Sequence, residues 1–273
     1  MHRIESFLTD EDKELSSSFL KDGYVIRDVC NFEALVDLQK SIAELACTHL
    51  GQPTPNNPTL FLNSISKHVS PETLNALRLF IFRSMNDWKW LRPTYYAIGV
   101  NMLNSLVGNE LAMQNKVNLS IQMPNDNSSL LDIHSDVYGG ETPFQVVQWL
   151  PLVDVAKTQS MFILPKAKTQ AVESSYHKLG DGGMAALFDM VKDDLIWLNI
   201  PFGKVLIFDS SCLHGNVLNE ESTTRWSMNC RFTSVFTPYI SAEKKLGSFY
   251  LPITLRAVSR VGMKYKQPEG FSE

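Results

Sequence analysis

The run Ile133-His134-Ser135-Asp136-Val137 sets an imidazole and a carboxylate two residues apart. On an extended backbone, side chains at that spacing leave the same side of the chain, so His134 and Asp136 can reach one metal ion. Alone, a His-x-Asp is a weak signal. It gains weight from His214, which stands far downstream, just past the strand-like run Lys204-Val205-Leu206-Ile207-Phe208. Three ligands drawn from two distant segments constrain the fold strongly, because the chain between them must leave and return to one point. Two histidines and one carboxylate form the facial triad of non-haem iron(II) sites, which leaves coordination positions open.

The order of hydrophobic periods shows how such a return is made. Residues 1–115 read as mostly helical. Thr9 is an N-cap followed by Asp10, Glu11 and Asp12, and Gly23 is a stop. Tyr24 to Val29 reads as a short strand. Asn31 opens a helix through Leu35, Leu38, Ile42 and Leu45 that Gly51 ends. Residues 52–69, with three prolines, are expected to form a loop and are a candidate lid. Ser70-Pro71 and Pro93 start two more helices. From Lys116 the period changes to two: Val117, Leu119 and Ile121 alternate with Asn118, Ser120 and Gln122. Further strands are predicted over Phe144–Leu152, Ser160–Leu164, Leu195–Ile200, Gly203–Asp209 and Arg225–Phe236. Residues 166–193 read as an insertion, with Gly180, Gly182 and Gly183 ahead of a helix, and 238–273 as a tail. Many short strands behind a helical front end predict an α+β chain with a mainly β core. The expected form is one domain, a double-stranded β-helix (jelly roll) over 116–237 backed by helices. Its barrel mouth is where distant residues meet.

Iron(II) held by His134, Asp136 and His214 leaves room for a bidentate 2-oxo acid and O2. The 2-oxo acid then needs a cation for its distal carboxylate. Arg225 and Ser227 alternate on one predicted strand and face one side, so they form a compact carboxylate clamp. Gln122 is a candidate further polar contact and Trp149 a candidate pocket wall. Arg231 is either an acid-binding group or an exposed structural arginine. The other histidines, His2, His49, His68 and His177, are expected to be surface or capping residues.

Composition removes several alternatives. A net charge of -4 without a basic block speaks against a nucleic-acid groove. No apolar run approaches the ~20 residues that span a bilayer. The N-terminal stretch lacks an apolar signal core, and Cys30, Cys47, Cys212 and Cys230 form no Cys-x-x-Cys. They are expected to be buried thiols, and the protein is expected to be cytoplasmic. The sequence carries no signal for an oligomeric state.

His134-x-Asp136, His214 and Arg225 together resemble the phytanoyl-CoA dioxygenase-like branch of the Fe(II)/2-oxoglutarate oxygenases. So does the opening Phe19-Leu20-Lys21-Asp22-Gly23-Tyr24-Val25-Ile26. A longer likeness, carried by Val117–Gln122, Val147–Asp154, Arg225–Phe232 and Phe236–Tyr239, is to a bacterial family of 2-oxoglutarate/Fe(II) oxygenases from carbohydrate-biosynthesis clusters. That resemblance implies the 2-oxo acid is 2-oxoglutarate and the substrate a small carbohydrate or sugar-nucleotide derivative. It also implies oxygenation rather than halogenation, since Asp136 occupies the position that halide takes in related halogenases. The departure is Asn216, where the superfamily more usually has a hydroxyl residue two after the distal histidine. Two rival readings stand beside this one: a cupin-like metal enzyme that uses no 2-oxo acid, and a non-catalytic sugar-binding jelly roll.

Overall fold

The structure is a computed structural model and describes residues 6–174 and 183–267. The helical front end is built as its caps require. Helix α1 (Asp10–Asp22) starts at Thr9, whose hydroxyl accepts from the Asp12 amide, and ends at Gly23 with φ +81°. A Cβ on Gly23 would lie 2.4 Å from the Cys212 Sγ, so both the left-handed turn and the close approach call for glycine. Strand β1 (Tyr24–Asp28) follows. Helix α2 (Phe32–Leu50) is capped by Asn31 and stopped by Gly51. Helices α4 (Pro71–Asn86) and α5 (Leu91–Leu106) complete the layer.

The segment 52–69 is not the open loop that its prolines predict. It holds helix α3 (Pro58–Asn63), capped by Asn57 with Pro58 in its first turn, and a 3-10 turn over Ile65–Lys67. Leu62 and Ile65 are fully buried. The Trp226 indole N–H donates to the Leu62 carbonyl at 2.9 Å, and the Thr224 amide to Asn63 at 3.0 Å. This docking holds the segment against the sheet at Thr224 and Trp226.

Two antiparallel sheets follow. The larger runs β1-β7-β4-β9-β2-β10, with β3 also on β9. Its strands are β2 (Leu111–Gln114), β3 (Asn118–Gln122), β4 (Gln145–Pro151), β7 (Lys204–Asp209), β9 (Arg225–Ser234) and β10 (Tyr250–Pro252), besides β1. The smaller runs β6-β5-β8, from β5 (Phe162–Ile163), β6 (Ile196–Trp197) and β8 (His214–Gly215). Strand β2 lies inside the stretch read as mostly helical: Leu-Ala-Met-Gln are helix formers, and burial of all four residues between neighbours overrides their propensity. The tail likewise contributes an element, β10, which pairs with β2, and a short helix α8 (Ala257–Gly262).

One face of the larger sheet carries α2, α4 and α5. Leu35, Leu38, Ile42, Leu77, Ile81 and Tyr95 join Val146, Leu150, Trp226 and Met228 in one buried cluster. Tyr95 is fully buried, and its hydroxyl reaches the Gln148 and Met228 carbonyls at 2.9 and 3.1 Å. The opposite face looks toward the smaller sheet. Behind that sheet, helix α7 (Gly183–Val191) buries Leu187 and Val191 against Ile133, Phe162 and Leu213. Helix α6 (Lys166–Glu173) precedes it. The predicted glycine turn at Gly180 and Gly182, together with His2 and His177, lies outside the described residues. Of the cysteines, Cys47, Cys212 and Cys230 are buried as expected, whereas Cys30 is exposed.

Candidate active site

His134 and His214 meet through their backbones. Each amide donates to the other's carbonyl at 2.9 Å, an isolated antiparallel bridge that continues the smaller sheet. The rings stand 4.4 Å apart between centroids. His134 Nδ1 lies 2.7 Å from the Asp132 carbonyl and His214 Nδ1 lies 3.0 Å from the Cys212 carbonyl. A carbonyl only accepts, so each Nδ1 carries the proton and each Nε2 keeps a free lone pair. Asp136 follows two residues on, its amide bound to the Ser210 carbonyl at 3.0 Å. One ligand atom from each of His134, Asp136 and His214 lies within 4.8 Å of the others. At that spacing one metal ion could reach all three, and these are the residues the sequence singles out.

The protonation states suit a cation. Burial pushes the His214 pKa down to about 4, a pull that Asp136 only partly opposes. Burial would raise Asp136, but the charge and hydrogen bonds of Arg231, with His214 and His134, hold it below the usual carboxylate value. At neutral pH the site therefore presents a neutral buried imidazole and an ionised carboxylate, both ready to ligate.

Arg231 is the residue that sequence reasoning left undecided. Its Nε donates to Asp136 Oδ2 at 3.0 Å and its Nη2 to Oδ1 at 2.6 Å. The signal was present in the period-two alternation of Arg225, Ser227, Asn229 and Arg231 along β9. All four line one cleft, together with the triad, Ser120, Val147, Trp149, Met161 and Phe208. The walls come from both sheets, and the cleft, with a cavity volume of about 100 Å³, opens to solvent.

Arg225 and Ser227 sit in the wall of this cleft, 3% and 1% exposed. Arg225 donates to the Ser120 hydroxyl at 3.1 Å, while its Nε and the Ser227 Oγ have no hydrogen-bond partner among the described residues. Burial, then the nearby Arg78 charge, lowers the Arg225 pKa to about 10. No acid among the described residues offsets that cost. Trp149 lines the cleft as expected. Gln122 does not: its amide donates to the Val217 carbonyl at 2.6 Å and its oxygen faces Asn216 at 3.4 Å. It buttresses the segment after His214 instead. Asn216, the departure noted in the sequence, accepts from the Leu131 amide at 2.6 Å and donates to the Ser129 carbonyl at 3.0 Å. That pair of hydrogen bonds ties the segment leading into His134 to the segment leaving His214.

No protein-family model matches the sequence, and no curated protein sequence matches it either. Solved structures do. The non-haem monooxygenase ThoJ, in a nickel complex, superposes with a TM-score of 0.57 at 15% identity over 94% of this chain and 89% of that one. EctD from S. alaskensis, with 2-oxoglutarate and 5-hydroxyectoine, gives 0.56 at 15% identity over 95% and 89%. SnoK, a non-haem α-ketoglutarate-dependent carbocyclase from nogalamycin biosynthesis, gives 0.55 at 12% identity over 91% and 97%. At such identities the likeness is one of fold, and it spans nearly the whole of each chain: this protein is built on the fold that ThoJ, EctD and SnoK share.

Proposed function

We propose that this protein is an iron(II)- and 2-oxoglutarate-dependent dioxygenase, its two sheets forming a double-stranded β-helix. The observation that carries this reading is the pairing, in one cleft, of a two-histidine, one-carboxylate set with a buried arginine that lacks an anion. His134, Asp136 and His214 would hold iron(II), a donor set of nitrogen and oxygen that suits it. The orphan Arg225 Nε and Ser227 Oγ fit the distal carboxylate of 2-oxoglutarate, which would satisfy two polar atoms that are otherwise buried without partners. With O2, the iron site would convert 2-oxoglutarate to succinate and CO2 and oxidise a C–H bond of the substrate.

The chain's own contributions follow from the geometry. Nδ1–H bonds to backbone carbonyls hold both imidazole rings in the ligating tautomer. Val147, Trp149, Met161 and Phe208 make the cleft wall apolar, which strengthens the Arg225–carboxylate attraction by excluding water. The cupin-like rival leaves Arg225 without a purpose that repays its burial. The sugar-binding rival leaves the triad without one. The test is anaerobic Fe(II) titration followed by succinate assay. Wild type binds one Fe(II) per chain, and His134→Ala and His214→Ala lose binding while keeping native circular dichroism. Unchanged Fe(II) affinity in both variants would remove the iron reading.

For the substrate, the motif likeness supports a small carbohydrate-derived molecule. The polar face of β3 adds no support. Asn118 is bound to Asn229 and Gln122 to Val217, and neither lines the cleft; Ser120, which accepts from Arg225, is the one residue of that face that does. Substrate-triggered succinate formation across sugar nucleotides, free sugars and acyl-CoA esters decides it. Stimulation by an acyl-CoA alone discards the carbohydrate reading and leaves the iron chemistry standing.

A further inference from the structure

The Asp136 carboxylate is gripped at both oxygens. Arg231 donates from Nε to Oδ2 at 3.0 Å and from Nη2 to Oδ1 at 2.6 Å, the side-on fork that only a guanidinium provides. Arg231 is itself held. Its Nη1 reaches Gln114 Oε1 at 3.3 Å, and Glu141 Oε1 lies 3.8 Å from its Nε. Glu141 is 2% exposed. It accepts from the Tyr250 hydroxyl at 2.6 Å and pairs with Lys244 at 3.2 Å. A buried chain of contacts thus runs from the C-terminal segment through Glu141 and Arg231 to one member of the triad, and to neither histidine.

We propose that Arg231 is a positioning residue for the metal centre: by holding both Asp136 oxygens it restricts that carboxylate to a single-oxygen bond with the metal. Each carboxylate oxygen has two lone pairs, and the fork occupies one on each. Oδ1 is the oxygen on the histidine side, 3.9 Å from His134 Nε2; Oδ2 is held by the Arg231 Nε. A carboxylate free to rotate would offer both oxygens to the metal and take a position that a chelating co-substrate needs. Neutralising the Asp136 charge needs only a cation in place of Arg231. Holding both oxygens needs the planar fork, and this difference makes the role testable.

The proposal rests on the iron and 2-oxoglutarate reading, and its test separates the two. Co(II), which reports its coordination through its d–d absorption, is titrated into apo wild type, Arg231→Lys and Arg231→Leu. 2-Oxoglutarate is then titrated into each Co(II) form. Arg231→Lys keeps the charge that stabilises buried Asp136 and is the variant expected to fold as wild type; Arg231→Leu removes both charge and fork. The expected result is that both variants bind Co(II) with an altered d–d band and bind 2-oxoglutarate at least tenfold more weakly. A band and a 2-oxoglutarate affinity in Arg231→Lys equal to those of wild type overturn the positioning role, because charge alone then suffices. Wild type that takes up no Co(II) overturns the metal reading itself and the proposal with it.

Discussion

Arg225 is a cation buried in the cleft wall with the Ser120 hydroxyl as its hydrogen-bond acceptor, and an anion joining it would offset the cost of that burial. Truncating one partner of a buried charge pair costs about 2–5 kcal/mol. Arg225→Ala is therefore expected to raise the 2-oxoglutarate concentration needed for half-maximal succinate formation by well over tenfold. An unchanged requirement means that another cation holds the co-substrate. His214 allows a second prediction, for the metal-free protein. Burial lowers its folded pKa to about 4, against about 6.5 for an exposed histidine. Between those values the unfolded chain binds a proton that the folded chain refuses, so stability falls as pH drops from about 6.5 to about 4. Urea midpoints measured across that window should show the slope, and His214→Gln should reduce it.

At the scale of elements, β9 does most of the organising. Cross-strand register sets Ser120 opposite Ser227 and Asn118 opposite Asn229, so Ser120, Ser227 and Asn229 come to line the cleft together. The alternate residues Leu119, Ile121, Trp226 and Met228 go to the helix side, where Trp226 anchors α3. Close helix–sheet contact on that side depends on Gly99 of α5. A Cβ there would fall 2.1 Å from the Gln148 side-chain oxygen, and the Gln148 amide is bound to the Tyr95 carbonyl at 2.7 Å. Gly99→Ala is expected to destabilise the fold by roughly 1–3 kcal/mol, the usual cost of overpacking, even though alanine is the better helix former. A urea midpoint at or above that of wild type would contradict this tight contact.

Across the whole molecule, the C-terminal segment closes the larger sheet and covers the charges behind the triad. Strand β10 pairs with β2, and Tyr250, fully buried, bonds both Glu141 and Gln145 through its hydroxyl. Tyr250→Phe keeps the ring and removes the one O–H that these two buried groups share, a loss of roughly 1–3 kcal/mol. The expected outcome is a lower urea midpoint with little change in m-value, because the folded surface is unchanged. A midpoint equal to wild type means that water or another donor replaces the phenol. No helix among the described residues is long and apolar enough to cross a membrane.

Local chemistry was legible wherever one segment sufficed. Thr9, Asn31, Gly23 and Gly51 mark helix ends because capping needs only near neighbours, and the alternation through Val117–Gln122 marks a half-buried strand. His134 and Asp136 reach one point because Ser135 between them is extended, ahead of a 3-10 turn that opens at Asp136. Helix α3 was signalled as locally, by Asn57-Pro58, and was obscured by the proline-rich run around it. Strand β2 was not legible, since its residues favour helix and only burial on both faces makes them a strand. Nor were the partners of Gln122 and Arg231, which are set by neighbours on other segments. The sequence by itself determined which residue types could bind a metal and an acidic co-substrate. The tertiary structure decided that His134 and His214 share a backbone bridge, that Asn216 latches the segments leading to them, and that Arg231 turns to Asp136. Hydrogen bonds between distant segments leave no period in the sequence, so only the folded chain reveals them.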